Sequence, residues 1–360
     1  MKTLIILIAL LSLNLKAEWK SKEIYSGTRS NTAVAHDYDG DGICEIIYST
    51  AGKTFLSSLD GKKLRTIAEQ QIIHSALVDI DKNGRLDLVG AGRPVFWLKC
   101  PEKPWTDEWK YTSVNGDLVG THAIEIGDID KDGLVDIIAG SFKDQGPYGN
   151  SICWFKNPGK SGSWKVKPLA QKDAFGGHHY FDYFELKGKP ALCIGAKGRP
   201  FKNGNYFAMW VAEEGLEKPW KKSYLLKDQP GATNTGVTDL NGDGTLDFIL
   251  ANGHGTGVHV MNGKDMKAKL IDAKIQSTHN LDYGDLDDDG DTDIVTCGFI
   301  SREVVWYENL GNFNFKKHII GLDQEAYDIR LVDLDGDKVK DVLVAGRGSN
   351  NVIWYKNPKK

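Results

Sequence analysis

The chain has 360 residues, 26% of them charged and 41% hydrophobic, and a formal net charge of −4. Its charge balance, with no basic tail or arm, argues against nucleic acid as a partner. Its longest apolar run, near the N-terminus, is too short to cross a bilayer.

The chain opens with a basic M-K-T, an apolar core and a small residue at Ala17. This pattern reads as a secretory signal over 1–17, cleaved before Glu18. The expected mature chain, 18–360, is a single domain, secreted or periplasmic, and monomeric. Next comes W-K-S-K-E-I at Trp19–Ile24, a short strand with no strand partner nearby in sequence.

Six acidic nine-residue motifs then punctuate the chain, beginning at residues 37, 79, 128, 239, 285 and 333. Their oxygen-bearing positions one, three, five and nine are Asp37, Asp39, Asp41 and Glu45, then Asp79, Asp81, Asn83 and Asp87. The third and fourth loops carry Asp128, Asp130, Asp132 and Asp136, then Asp239, Asn241, Asp243 and Asp247. The last two carry Asp285, Asp287, Asp289 and Asp293, then Asp333, Asp335, Asp337 and Asp341. Carboxylate and amide oxygens at that spacing suit a hard cation, and calcium takes about 6–8 oxygens in a tolerant geometry. Structural calcium is therefore the expected cofactor. The loop at Asp285, with four aspartates, is expected to bind best. The loop with Asn83, and the loop with Lys338 in place of glycine, are expected to bind more weakly.

The 111-residue gap between the third and fourth motifs is about two periods. It hides a repeat near residue 182, where two strand-like runs flank a short turn at Lys187–Lys189. Seven units of about 50 residues signal a propeller or solenoid. In each unit a short apolar strand enters the loop and a β-rich strand leaves it. The third strand of most units carries an aromatic, at Trp97, Trp154, Trp210, Trp306 and Trp354. A fourth follows at Trp109, Trp164, Trp220 and Phe315. Four strands per unit describe an all-β, seven-bladed β-propeller. The last unit stops after its third strand, so Trp19–Ile24 is expected to supply the fourth, bury Trp19 and close the ring.

These hairpins and the W-Y-x-N strands resemble the FG-GAP/VCBS repeat family of secreted and cell-surface propellers. The W-F-K-N-P-G style strands also look like the propeller part of aldos-2-ulose dehydratases, and some polysaccharide lyases use similar propellers. The resemblance implies the fold. Its members include carbohydrate binders, sugar-cleaving enzymes and adhesion modules, so it leaves function open.

Strand order puts the acidic loops on one face and the entries to the first strands on the other. The second face gathers His74, His122, His178, His254, His279 and Tyr327, with the cations Arg93, Lys197, Arg199, Arg302 and Arg347. Arginine forks carboxylates and histidine titrates near neutral pH. The aromatics Tyr148, Phe175, Phe201 and Phe299 in the same loops suit stacking on sugar rings. A carbohydrate, preferably acidic, is the expected ligand at this mouth. An enzymatic alternative is sugar β-elimination or dehydration. His122 or His279 is then the base, Arg302 or Arg347 the enolate neutraliser, and Tyr327 the acid. A further alternative is a protein-interaction module. Polar residues line any wet channel, so each single histidine also has an ordinary structural reading. The five cysteines include no C-x-x-C pair and read as buried small hydrophobes, with no disulfide framework.

Overall fold

Seven four-stranded antiparallel sheets, and no helix, make up the described residues. The computed structural model describes residues 18–358 apart from Arg93, Gly116 and Ser161. The expected signal segment, 1–17, lies outside the described residues. Six sheets are consecutive in sequence, and blade one comprises Ser30–His36, Glu45–Thr50, Lys53–Ser57 and Leu64–Ala68. The innermost strands of blades two to six are His74–Val78, Thr121–Gly127, His178–Leu186, Asn234–Thr238 and Thr278–Gly284. Blade seven runs Asp328–Val332, Asp341–Gly346 and Asn351–Lys356, and its outer strand is Lys20–Ser26 from the N-terminus. Neighbouring innermost strands touch all round the ring, including blade seven against blade one. The chain is thus a seven-bladed β-propeller closed by its N-terminal strand, as the incomplete last repeat required.

The repeat pattern explains the layers. The second strand of a blade is sandwiched between two neighbouring blades, so it is apolar on both faces. Asp136–Ser141, Asp293–Gly298 and Asp341–Gly346 are buried at every position. Each gap between blades holds its own hydrophobic cluster, such as Ile249, Val258, Ile294 and Tyr307 between blades five and six. Outer strands such as Lys20–Ser26 and Lys221–Lys227 are largely exposed and lysine-rich, which blunts their open edges. Close approach demands glycine at Gly195, where a Cβ would lie 2.5 Å from the Thr233 backbone of the next blade. Trp19 departs from expectation: it is only partly buried and packs on the cluster of Trp306 and Tyr355. The buried residue of that strand is Ile24, at 7% exposure. All five cysteines are free and buried.

Candidate functional site at the channel mouth

An innermost strand starts at one face and delivers its acidic loop at the other. Seven residues at about 3.3 Å each put the two ends roughly 20 Å apart. The mouth and the acidic loops are therefore separate sites.

At the mouth, side chains from five consecutive blades form a continuous arc of rings. His122 of blade three lies 4.8 Å from His179 of blade four, between centroids. His179 lies 4.6 Å from His254 of blade five, which lies 4.7 Å from His279 of blade six. His279 then stacks on Tyr327 of blade seven at 3.9 Å. The Arg347 guanidinium covers Tyr327 at 4.7 Å. Phe142 packs edge-on against His122, Phe201 against Phe142, and Phe299 stands 6.0 Å from His279. Register shifts recur at the mouth end of the innermost strands of blades one, three, four and six. Such bulges re-aim side chains out of the normal alternation.

Burial and mutual repulsion hold His179, His254 and His279 neutral. His179 and His279 are pushed well below the ordinary histidine range, first by burial and then by neighbouring imidazoles and cations. His254 is lowered to about 4 by burial, Lys197 and His122. Its Nε2 lies 3.0 Å from Nε2 of His179, so one ring N–H donates to the other's lone pair. Nδ1 of His279 is buried without a hydrogen-bond partner. Burial keeps Tyr327 above the usual phenol range, hence protonated, although Arg347 pulls the other way. Lys197 stands 5.5 Å over Phe201, and burial lowers its pKa.

The arrangement corrects several expectations. His178 turns away from the mouth: its Nδ1 bonds the Ala174 carbonyl at 3.0 Å, and its ring fills the space over Gly140. Its neighbour His179 takes the mouth position, because adjacent strand residues point to opposite sides. His74 is buried, receives the Ile124 amide at 3.3 Å and packs edge-on against Tyr180. Arg302 lies 3.7 Å from Asp323 and 3.5 Å from Glu325, so its charge is already compensated. Tyr148 packs into the core between blades two and three. Arg199 is exposed on the loop after Lys189–Ala196, and Arg93 lies outside the described residues.

The channel below the mouth holds charges that sequence reasoning missed. Glu125, Asp182 and Asp282 project from the innermost strands of blades three, four and six, and burial raises all three pKa values. Arg330 of blade seven pairs with Asp328 at 3.2 Å and donates to the Ser75 carbonyl of blade two. Asp328 in turn accepts from Thr32 at 2.8 Å and from Asn280. Glu125, Asp182, Asp282 and Arg330 each fall three residues before the first residue of a loop or its equivalent, a repeat-register signal available in the sequence.

On the opposite face, three carboxylates come within mutual ligand distance in five of the six loops. They are positions one, three and five in the loops at Asp37 and Asp285, and one, three and nine in those at Asp79, Asp128 and Asp333. The loop at Asp239 does not join them: Asn241 occupies its third position and donates to Asp243 at 3.3 Å. The ninth position is a structural clasp as well. Asp136 accepts the amides of Ile129 at 3.2 Å and Asn157 at 2.7 Å, tying the loop to the exit of the third strand. Asp87, Asp247, Asp293 and Asp341 repeat the pattern. Buried Oδ1 atoms of Asp128, Asp130 and Asp285 have no hydrogen-bond partner, as expected of oxygens suited to a cation. Lysines compete there: Lys99 contacts Asp81, Lys156 contacts Asp130, and Lys356 contacts Asp335.

Fold and loops together define a seven-bladed propeller whose repeats carry acidic loops with carboxylates close enough to hold a metal ion. Residues 285–344, from the acidic loop of blade six into the second strand of blade seven, match the FG-GAP-like repeat. No curated protein matches the chain. Solved propellers resemble it throughout. An Agrocybe aegerita lectin that recognises non-reducing terminal N-acetylglucosamine is 19% identical, with a TM-score of 0.57 over 93% of this chain and 87% of that one. BBS1N in complex with ARL6DN is 10% identical, with a TM-score of 0.61 over 96% and 98%. YCF48 bound to D1 peptide is 11% identical, with a TM-score of 0.55 over 94% and 96%. At these identities the likeness establishes the fold.

Proposed function

We propose that the protein is a secreted or periplasmic, calcium-stabilised propeller that binds an acidic carbohydrate at the channel mouth. The observation that carries this reading is the five-blade arc of rings ending at Arg347. Neutral imidazoles both donate and accept, which suits sugar hydroxyls. Among the described residues Arg347 has no ion pair, and it can take a carboxylate. Phe142, Phe201 and Phe299 add apolar surface for a sugar face. The N-acetylglucosamine recognition of the Agrocybe lectin supports a carbohydrate, and the export-type start at 1–17 supports the location. In the acidic loops, the unpartnered oxygens of Asp128, Asp130 and Asp285 suit calcium, which would brace the loops electrostatically.

The stack of His279, Tyr327 and Arg347 favours a second reading, β-elimination at a uronate. Neutral His279 would take the proton α to the carboxylate while Arg347 stabilises the enolate. The carbon–oxygen bond would then break, leaving a carbon–carbon double bond, and Tyr327 would protonate the departing oxygen. One screen of acidic polysaccharides separates the readings, with affinity-gel retention and unsaturated-product absorbance followed together. Retention without product supports binding, and product supports elimination. Neither signal across the screen sinks both.

A further inference from the structure

The ring arc occupies the mouth from blade three round to blade seven. A cavity of about 520 Å³ completes the circle on the remaining side. His122 and Arg347, the two ends of the arc, both line it. The other polar lining residues are Arg29 at the entry to blade one, Asn31 of blade one, and Gln70 and Gln71 of its link to blade two. The volume lies within the range of about 300–1,000 Å³ in which small-molecule sites fall.

The lining is chemically specific. Asn31 is 5% exposed, and its Nδ2 reaches the Ile72 carbonyl at 3.4 Å, while its Oδ1 has no hydrogen-bond partner. A buried acceptor left unmatched is unfavourable and is satisfied when a donor such as a hydroxyl arrives. Among the described residues, neither Arg29 nor Arg347 takes part in an ion pair, in contrast to Arg302. The cavity therefore presents two guanidinium groups outside any ion pair, together with amide side chains that donate and accept.

We infer that this cavity is a second subsite, continuous with the arc, and that the natural ligand is a chain of acidic sugars rather than one unit. One carboxylate meets Arg347 at the arc, a second meets Arg29, and Asn31, Gln70 and Gln71 take the hydroxyls between them. Arg29 is then a specificity residue for chain length. This inference rests on the acidic-carbohydrate reading above.

The test is calorimetric titration of the purified protein with galacturonic acid, its dimer and its trimer. Affinity should rise at least about tenfold from monomer to trimer, the scale of one added charge-assisted hydrogen bond. Arg29→Ala, at an exposed position, should fold normally and remove most of that rise. Arg347→Ala should weaken all three ligands. Equal affinity for the three lengths, or a rise that survives in Arg29→Ala, overturns the subsite while leaving the mouth reading intact. No binding at any length by the unaltered protein overturns the acidic-carbohydrate reading, and the subsite with it.

Discussion

The His279 and Tyr327 rings stack at 3.9 Å with planes 26° apart, joining blade six to blade seven across the mouth. The Arg347 guanidinium packs on the same Tyr327 ring at 4.7 Å. Tyr327→Phe keeps the stack and removes only the hydroxyl, so the melting temperature should hardly change. Arg347→Ala removes the uncompensated cation. It should weaken an anionic ligand by about 1–3 kcal/mol, the scale of a lost charged hydrogen bond. Under the elimination reading, Tyr327→Phe abolishes product formation while retention persists. Calorimetry and product absorbance on the same two variants decide the roles. A Tyr327→Phe variant with full turnover removes Tyr327 from the chemistry.

Stability should fall on acidification through the histidine window. His254 and His178 are lowered to about 4, and His74 to about 3, chiefly by burial. The unfolded chain then binds more protons than the folded one between those values and about 6.5. Their contribution is fully present above about pH 6.5 and is lost progressively as pH falls toward 4 and then 3. Opposing this, burial raises Glu125 and Asp182, so their protonated forms favour the fold at low pH and their ionisation disfavours it as pH rises. The melting temperature, followed from pH 8 to 4, should show both slopes. Glu125→Gln should flatten the alkaline side, and His254→Asn the acidic side. A His254 resonance that titrates near 6.5 contradicts the buried, neutral arc.

Chelation should destabilise the protein, and the loops should respond unequally. A site at a calcium concentration a hundredfold above its Kd adds about 2.7 kcal/mol. In blades two, three and seven a third-strand lysine, Lys99, Lys156 or Lys356, already reaches the acids and partly replaces a cation. In blade six the corresponding residue is Glu308, which instead bonds Lys316 at 3.2 Å and contacts His318. The loop at Asp285 should therefore bind calcium most tightly, and Asp285→Asn should remove the largest share of calcium-dependent melting. Lys156→Ala should make blade three more dependent on calcium. An identical melting curve for demonstrably metal-free and calcium-loaded protein leaves the loops as acidic turns.

The fold was legible because repetition multiplies a weak signal. One D-x-D-x-D-G turn says little, but six in register, with Trp154, Trp306 and Trp354 at equivalent places, define blade and ring. The closure was legible for the same reason, since the last repeat lacked a strand that Lys20–Ser26 provides. The mouth was legible only as a face. Which of His178 and His179 enters it depends on a bulge between His178 and Phe181 that the periodicity does not encode. The ion pairs of Arg302 were not legible because its partners, Asp323 and Glu325, lie about twenty residues away in the link to the next blade. The channel charges escaped notice because Glu125, Asp182, Asp282 and Arg330 are informative only when the repeats are superposed.

Ring closure should depend more on the channel than on the edge. Asp328 is 1% exposed, pairs with Arg330, and accepts hydrogen bonds from Thr32 of blade one and Asn280 of blade six. It thus joins the first and last blades from inside. Asp328→Ala leaves Arg330 without its partner in an enclosed site, a change that typically costs about 3–5 kcal/mol. Trp19 is only partly buried against Trp306 and Tyr355. Its loss should cost less, about 1–2 kcal/mol, below the value for a fully buried large side chain. Removing residues 18–24 also strips Ile24 and most of the outer strand of blade seven, and should exceed Trp19→Ala. Denaturant unfolding of the three variants ranks these effects. If Trp19→Ala proves more damaging than Asp328→Ala, the N-terminal strand rather than the channel network holds the ring shut.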